Sequence, residues 1–173
     1  MDAYDDFDEF VRARRLMLLR TATLLTGDQH AAEDLVQETL VRAAQRWPTI
    51  AAGRSPDAYV RRILYTRSID AWRWRRHQPD PALSRDRWDA AAPHETDRSD
   101  TRVTLAQALR RLTPKQRAVL VIRFYEDRTE VEAARILGCS VNTVKSQTRH
   151  ALGRLRELAP ELLDTFGRQE IHR

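Results

Sequence analysis

Residues Thr129 to Leu155, TEVEAARILGCSVNTVKSQTRHALGRL, constrain the fold of this chain more than any other stretch. They read as a helix, a three-residue turn at Gly138-Cys139-Ser140, and a second helix with a polar, basic outer face. That is the layout of a helix-turn-helix, whose second helix can lie in a DNA major groove. The turn must let two helices cross closely. Gly138 supplies backbone freedom that a side chain would hinder, and the preceding Ala134 is small. Ile136 and Leu137 give the first helix apolar bulk, while Val144, Leu152 and Leu155 anchor the second and Ser140 caps it. The outward face then carries Asn142, Thr143, Lys145, Ser146, Arg149 and His150. Short polar groups near a helix start reach base edges, and basic groups neutralise phosphates. A structural hairpin would need only a solvated face here, and a Ser-Val-Asn-Thr-Val-Lys-Ser run is more than solubility requires.

The remaining sequence predicts an all-α chain of two small helical domains joined by a flexible linker. There are only five glycines in 173 residues and few alternating β-branched runs. A first helix is expected over about residues 7–25, broken by Thr26-Gly27-Asp28. Asp28 then caps a second helix that runs to Trp47-Pro48. Ser55-Pro56 opens a third, over residues 57–76, with Val60, Ile63, Leu64 and Ala71 on its apolar stripe. Residues 78–101 carry Pro79, Pro81 and Pro93 without periodicity and read as the linker. A second domain is expected over residues 102–160. Thr113-Pro114 starts one of its helices and Thr129 caps the first helix of the helix-turn-helix, and residues 161–173 form a short tail.

Charge is arranged in blocks. The net charge is +5 with a pI near 10.0. Arg61, Arg62, Arg67, Arg73, Arg75 and Arg76 crowd one segment, with only Asp70 in sequence opposition. Lys145, Arg149, His150, Arg154 and Arg156 crowd another, and the acids Asp80, Asp86, Asp89, Glu95, Asp97 and Asp100 lie between. Two basic blocks around an acidic connector suit two modules facing a polyanion. Cys139 is the only cysteine, which excludes an intramolecular disulfide and a cysteine-based metal cluster, and suits a small half-buried plug. His30, His77, His94, His150 and His172 are scattered without metal spacing, and no glycine-rich phosphate loop is present. No cofactor is expected. No apolar run approaches the roughly 20 residues that span a bilayer, so direct membrane insertion is not expected. The acidic start MDAYDDFDEF does not read as a signal peptide, and the expected location is the cytoplasm.

With these segments in view, TPKQRAVLVIRFYEDRTEVEAARILGCSVNTVKSQTRHALGRLR resembles region 4 of bacterial extracytoplasmic-function (ECF) sigma factors. LLRTATLLTGDQHAAEDLVQETLVRAAQRW resembles regions 2.1 and 2.2, and SPDAYVRRILYTRSIDAWRWRRH resembles regions 2.3 and 2.4, with details most similar to an actinobacterial subgroup. The resemblance implies a dissociable, non-enzymatic subunit that gives core RNA polymerase promoter selectivity. It implies that Lys145, Ser146, Arg149 and His150, beside Asn142 and Thr143, lie at the minus-thirty-five element, and that Arg123 contacts the DNA backbone. It implies that the DLVQE helix clamps the β′ coiled coil of the polymerase through Asp34, Gln37, Glu38 and Arg42, with Leu35 and Val41 nearby; core packing alone accounts for Leu35. Tyr65, Arg67, Trp72, Arg73, Trp74 and Arg76 would bind the melted minus-ten strand by stacking and phosphate contact, although a tryptophan equally suits a core. The resemblance also implies an anti-sigma partner. Gln147, Thr148 and His150 depart from common choices in the family, so the minus-thirty-five sequence itself is not carried over. The rival readings are a stand-alone helix-turn-helix regulator of duplex operators, an enzyme, and a helical interaction protein without DNA binding. No heptad seam or ligand domain supports the first of these.

Overall fold

A computed structural model describes residues 3–53, 55–77 and 100–160, with side chains over 6–53, 55–71 and 105–160. Of the linker expected over 78–101, residues 78–99 lie outside the described residues, and Asp100 and Thr101 are already helical. The tail at 161–173 and the side chains of Trp72, Arg73, Trp74 and Arg76 also lie outside. The described backbone is helical, with no strand among these residues. It divides into two compact units, one built from the helices up to His77 and the other from the body of those after Asp100.

In the first unit, helix α1 spans Ala3–Thr26, α2 Gln29–Ala44, α3 Trp47–Ala51 and α4 Pro56–His77. Helices α1, α2 and α4 pack on one another. Leu18, Ala22 and Leu25 from α1 meet Ala32, Leu35, Val36 and Ala43 from α2 and Val60, Leu64 and Tyr65 from α4, all buried. The three- and four-residue spacing of these positions gives each helix one apolar stripe, and the fully buried alanines let the helices approach closely. Thr39, also buried, satisfies its hydroxyl by donating to Leu35 O at 2.7 Å. Gly27 turns the chain between α1 and α2 at φ +74, and Asp28 Oδ1 accepts from the Ala31 amide at 2.8 Å. This is the N-cap that the sequence predicts.

Helix α2 ends at Ala44, but the chain does not leave helical geometry at Trp47-Pro48 as expected. Proline is compatible with the first helical turn, and Pro48 here is the second residue of α3. What holds that turn is its apolar pair: Trp47 and Ile50 are both buried. The Trp47 ring packs at 5.0 Å from each of Phe7 and Phe10. The aromatic cluster thus joins α1 to α3.

In the second unit, α5 spans Asp100–Arg110, α6 Pro114–Leu120, α7 Glu130–Leu137 and α8 Val141–Leu158. Helix α6 packs against α8, and α5 touches α8. Thr113 and Gln116 form a reciprocal capping box at the start of α6. Thr129 and Glu132 do the same for α7: the Glu132 amide donates to Thr129 Oγ1 at 3.2 Å, and the Thr129 amide to Glu132 Oε2 at 2.8 Å. The backbone amide of Thr129, its hydroxyl and Arg128 hold the Glu132 carboxyl below its ordinary value. A depressed carboxyl pKa stabilises the fold above the unfolded value, and this support is lost as pH falls through the folded one.

The helix that Thr113-Pro114 opens gives up regular α-geometry after Leu120. Val121–Tyr125 forms a π-helical turn, in which the Glu126 amide bonds to Val121 O at 3.0 Å. Val121 and Ile122 are buried there, and Asp127 follows with φ 51. π-turns cluster at functional positions, and this one carries Arg123.

Candidate nucleic-acid and polymerase interfaces

The helix-turn-helix is α7, the turn at 138–140, and α8. Gly138 adopts φ +66, the left-handed conformation that glycine adopts without strain. Ser140 Oγ accepts from the Thr143 amide at 3.1 Å and lies 2.9 Å from Thr143 Oγ1. The Thr143 hydroxyl is therefore shared with the cap. Val144, Thr148, Ala151 and Leu155 form the buried underside of α8. The opposite side exposes Asn142, Thr143, Lys145, Arg149 and His150, with Ser146 half-buried at its edge. Lys145 Nζ lies 3.6 Å from Glu130 Oε2 on α7. Cys139 is half-buried. Burial pushes its thiol up, and the charge of Lys115 offsets only part of this. That environment suits packing and not thiolate chemistry.

Thr148, one of the departures from the family pattern, belongs to this underside. It is 7% exposed, and its hydroxyl has no hydrogen-bond partner among the described residues. A buried hydroxyl without a partner costs stability, and valine has the same shape. Thr148→Val should stabilise the second unit by about 1 kcal/mol, measurable by urea unfolding. A loss of stability would show that the hydroxyl has a partner in solution.

Arg123, on the π-turn, is half-buried and donates from Nη1 to the Arg128 carbonyl. Arg128 in turn pairs with Glu132 at 3.3 Å. The turn, the loop after it and the α7 cap thus form one connected polar patch around Arg123.

On α2, Asp34, Gln37, Val41 and Arg42 are exposed and Glu38 is half-buried. Their three- and four-residue spacing places them on one side of the helix. Val41 is 58% exposed, an apolar side chain among polar ones. Leu35 differs from the expectation: at 6% exposure it is a core residue facing inward, and offers no contact surface.

On α4 the expected strand-binding set divides. Tyr65 has 0% exposure, so its ring presents no plane to a base; it is a core residue here, one helical turn beyond the buried Arg61. The Ser68 hydroxyl donates to the Tyr65 carbonyl at 2.8 Å. Arg67 is half-buried and ion-paired, with Nη2 at 2.6 Å from Glu38 Oε1 and Nη1 at 3.7 Å from Asp70 Oδ2. The basic block is thus less free than a count along the sequence suggests. Arg61 is buried at 3% exposure, donating to Asp57 Oδ2 at 2.7 Å and to Met17 Sδ at 3.0 Å. It ties α4 to α1 and is not available to a nucleic acid. The Asp57–Arg61 spacing of one helical turn was the sequence signal for this pairing. Among the described residues no cluster of three or more His, Cys, Asp or Glu could hold a metal ion, and no helix is long and apolar enough to cross a membrane.

Comparison with known proteins coincides with this two-part division. The family model described as Sigma-70 region 2 matches residues 10–78, and that described as Sigma-70, region 4 matches residues 108–157. The RNA polymerase sigma-E factor of Streptomyces avermitilis is 41% identical over 152 residues, covering 88% of this chain and 84% of that protein. The ECF RNA polymerase sigma factor SigL of Mycobacterium tuberculosis is 33% identical over 150 residues, covering 84% of each. Among solved structures, the sigma factor RpoE of Bartonella quintana, crystallised with the anti-sigma factor NepR, is similar with a TM-score of 0.69 and 25% identity. The match covers 90% of this chain and 98% of that one.

Proposed function

We propose a residue-level division of labour for this chain, which belongs to the extracytoplasmic-function sigma factors of bacterial RNA polymerase. As such it directs core polymerase to specific promoters and promotes initiation. Its work is binding and not covalent catalysis, and its place is the cytoplasm, where the polymerase acts. In this reading residues 1–77 form the region 2 domain and residues 102–160 the region 4 domain. Residues 78–101 are the tether, whose last two residues already begin α5, and 161–173 the tail. Docking of one domain raises the effective concentration of the other across the tether.

The observation that carries the proposal is the coexistence on one chain of two unlike surfaces. One is the polar, basic side of α8 over a buried underside. The other is the acid, amide and valine strip of α2. Asn142, Thr143, Lys145, Ser146, Arg149 and His150 grip the minus-thirty-five duplex, and Arg123 holds its phosphate backbone. Asp34, Gln37, Glu38, Val41 and Arg42 clamp the β′ coiled coil. Arg67 with Trp72, Arg73, Trp74 and Arg76 captures the unpaired minus-ten strand and so shifts the promoter toward the open state. An anti-sigma factor is the expected regulator, in keeping with the complex in which the similar RpoE was crystallised. The stand-alone regulator accounts for α8 but leaves the α2 strip without a purpose.

Val41 gives a direct test. It is the exposed apolar side chain within the polar α2 strip, and a charge placed there would be desolvated in any interface that covers it. Val41→Asp leaves the core untouched, because the residue is 58% exposed. It should weaken association with core polymerase on the order of tenfold to a hundredfold. Duplex binding by the helix-turn-helix should stay as it was. Unchanged core affinity would remove α2 from the polymerase interface.

A further inference from the structure

Glu38 is the meeting point of two arginines from two helices. Arg42 Nη2, one turn along α2, lies 3.2 Å from Glu38 Oε1. Arg67 Nη2, from α4, lies 2.6 Å from the same oxygen. The only other acid paired with Arg67 among the described residues is Asp70, at 3.7 Å. Glu38 is therefore the dominant counter-charge of Arg67. Partial burial pushes the Glu38 carboxyl up, but the hydrogen bonds and charges of Arg67 and Arg42 outweigh this and hold it below its ordinary value.

The Arg67 Nη2 held at 2.6 Å by Glu38 is open to a nucleic-acid strand only when that carboxylate lets go. One carboxylate oxygen already shared by two arginines is likewise open to competition from a third cation. We propose that Glu38 gates strand capture: in the free chain it holds Arg67, and a cationic group of core polymerase that engages Glu38 releases Arg67 to the unpaired strand. This rests on the assignment of α2 to polymerase and of α4 to strand capture. Linkage makes the effect reciprocal, so a strand that draws Arg67 away leaves Glu38 freer for polymerase. The ion pair then serves a purpose beyond stability, to which a half-exposed pair contributes little.

A double-mutant cycle on the full chain separates this gate from simple charge repulsion. The probe is a labelled, random-sequence single-stranded DNA, titrated with free protein and with the protein bound to core polymerase. Glu38→Gln keeps the shape and removes the charge. It should tighten binding by the free chain about threefold to fivefold, the range a partly exposed ion pair supports. The gain should vanish in the Arg67→Ala background and shrink once core polymerase is bound. Glu33→Gln, an exposed acid on the same helix with no arginine partner among the described residues, should give no such gain. An absent gain, a gain that survives Arg67→Ala, or an equal gain from Glu33→Gln overturns the gate. Failure of the underlying assignment looks different: Arg67→Ala would then leave strand binding by the polymerase-bound protein unchanged, and the gate would fall with it.

Discussion

Replacing Lys145 and Arg149 together by alanine should lower affinity for a duplex carrying the minus-thirty-five element on the order of a hundredfold, since each lost contact to a base or phosphate costs about 1–3 kcal/mol. Both side chains are exposed on α8, and neither belongs to its buried underside of Val144, Thr148, Ala151 and Leu155. The double variant should therefore fold and melt as the parent does. If both groups neutralise phosphates, the slope of log affinity against log salt should also fall by about two. Association with core polymerase should be unchanged, because the α2 strip contains neither residue. Fluorescence titration at several salt concentrations, beside core-binding measurements, checks all three points. An equal loss of duplex and core binding would mean misfolding or a wrong assignment of α8.

A second large effect is expected where the sequence offers no hint of one. Arg117→Met should destabilise the second unit by about 2–4 kcal/mol, from carbonyls left without a donor in a buried corner. Arg117 is 4% exposed, and its Nη2 donates to the carbonyls of Arg110 at 3.0 Å and Leu112 at 3.3 Å. It thereby closes the C-terminal end of α5 from the first turns of α6. Such a loss is a large part of the roughly 5–15 kcal/mol that holds a domain together. Arg117→Lys should rescue only in part, because the lysine side chain is shorter and its ammonium falls short of the place where Nη2 meets both carbonyls. Urea unfolding followed by circular dichroism gives the free energy. Minus-thirty-five binding should fail at lower temperature than in the parent, while core association through α2 persists. Unchanged stability would mean that the corner is closed by other contacts.

How much of this was legible in the sequence depends on the range over which each feature is encoded. Caps are local: Asp28, Ser55, Thr113, Thr129 and Ser140 each precede a helix, and each side chain accepts from an amide three residues on. The outer side of α8 follows from helical spacing, as do Val144 and Leu155 on its inner side, whereas Leu152 is only half-buried and Thr148 and Ala151 complete the underside. The same holds for the exposed α2 strip, apart from Leu35, whose apolar character already pointed inward. Trp47-Pro48 misled because proline both ends and begins helices, and only the packing of Trp47 on Phe7 and Phe10 decides between them. The π-turn left no trace in the apolar spacing of Val119, Ile122 and Phe124. Charge was the hardest to read. Counting along α4 sees Asp70 but not Glu38, which reaches Arg67 only after α2 and α4 have packed. Tyr65 suits a stacking platform by residue type, whereas its place one turn beyond the buried Arg61 makes it core.

The claim that unites both units is that this chain gives core RNA polymerase its promoter choice. Transcription from a promoter library with purified protein and core polymerase tests it most directly. Specific initiation that needs both components, at promoters sharing an upstream and a minus-ten element, is the predicted result. Tight operator binding by the protein alone, with no polymerase association and no initiation, would contradict it.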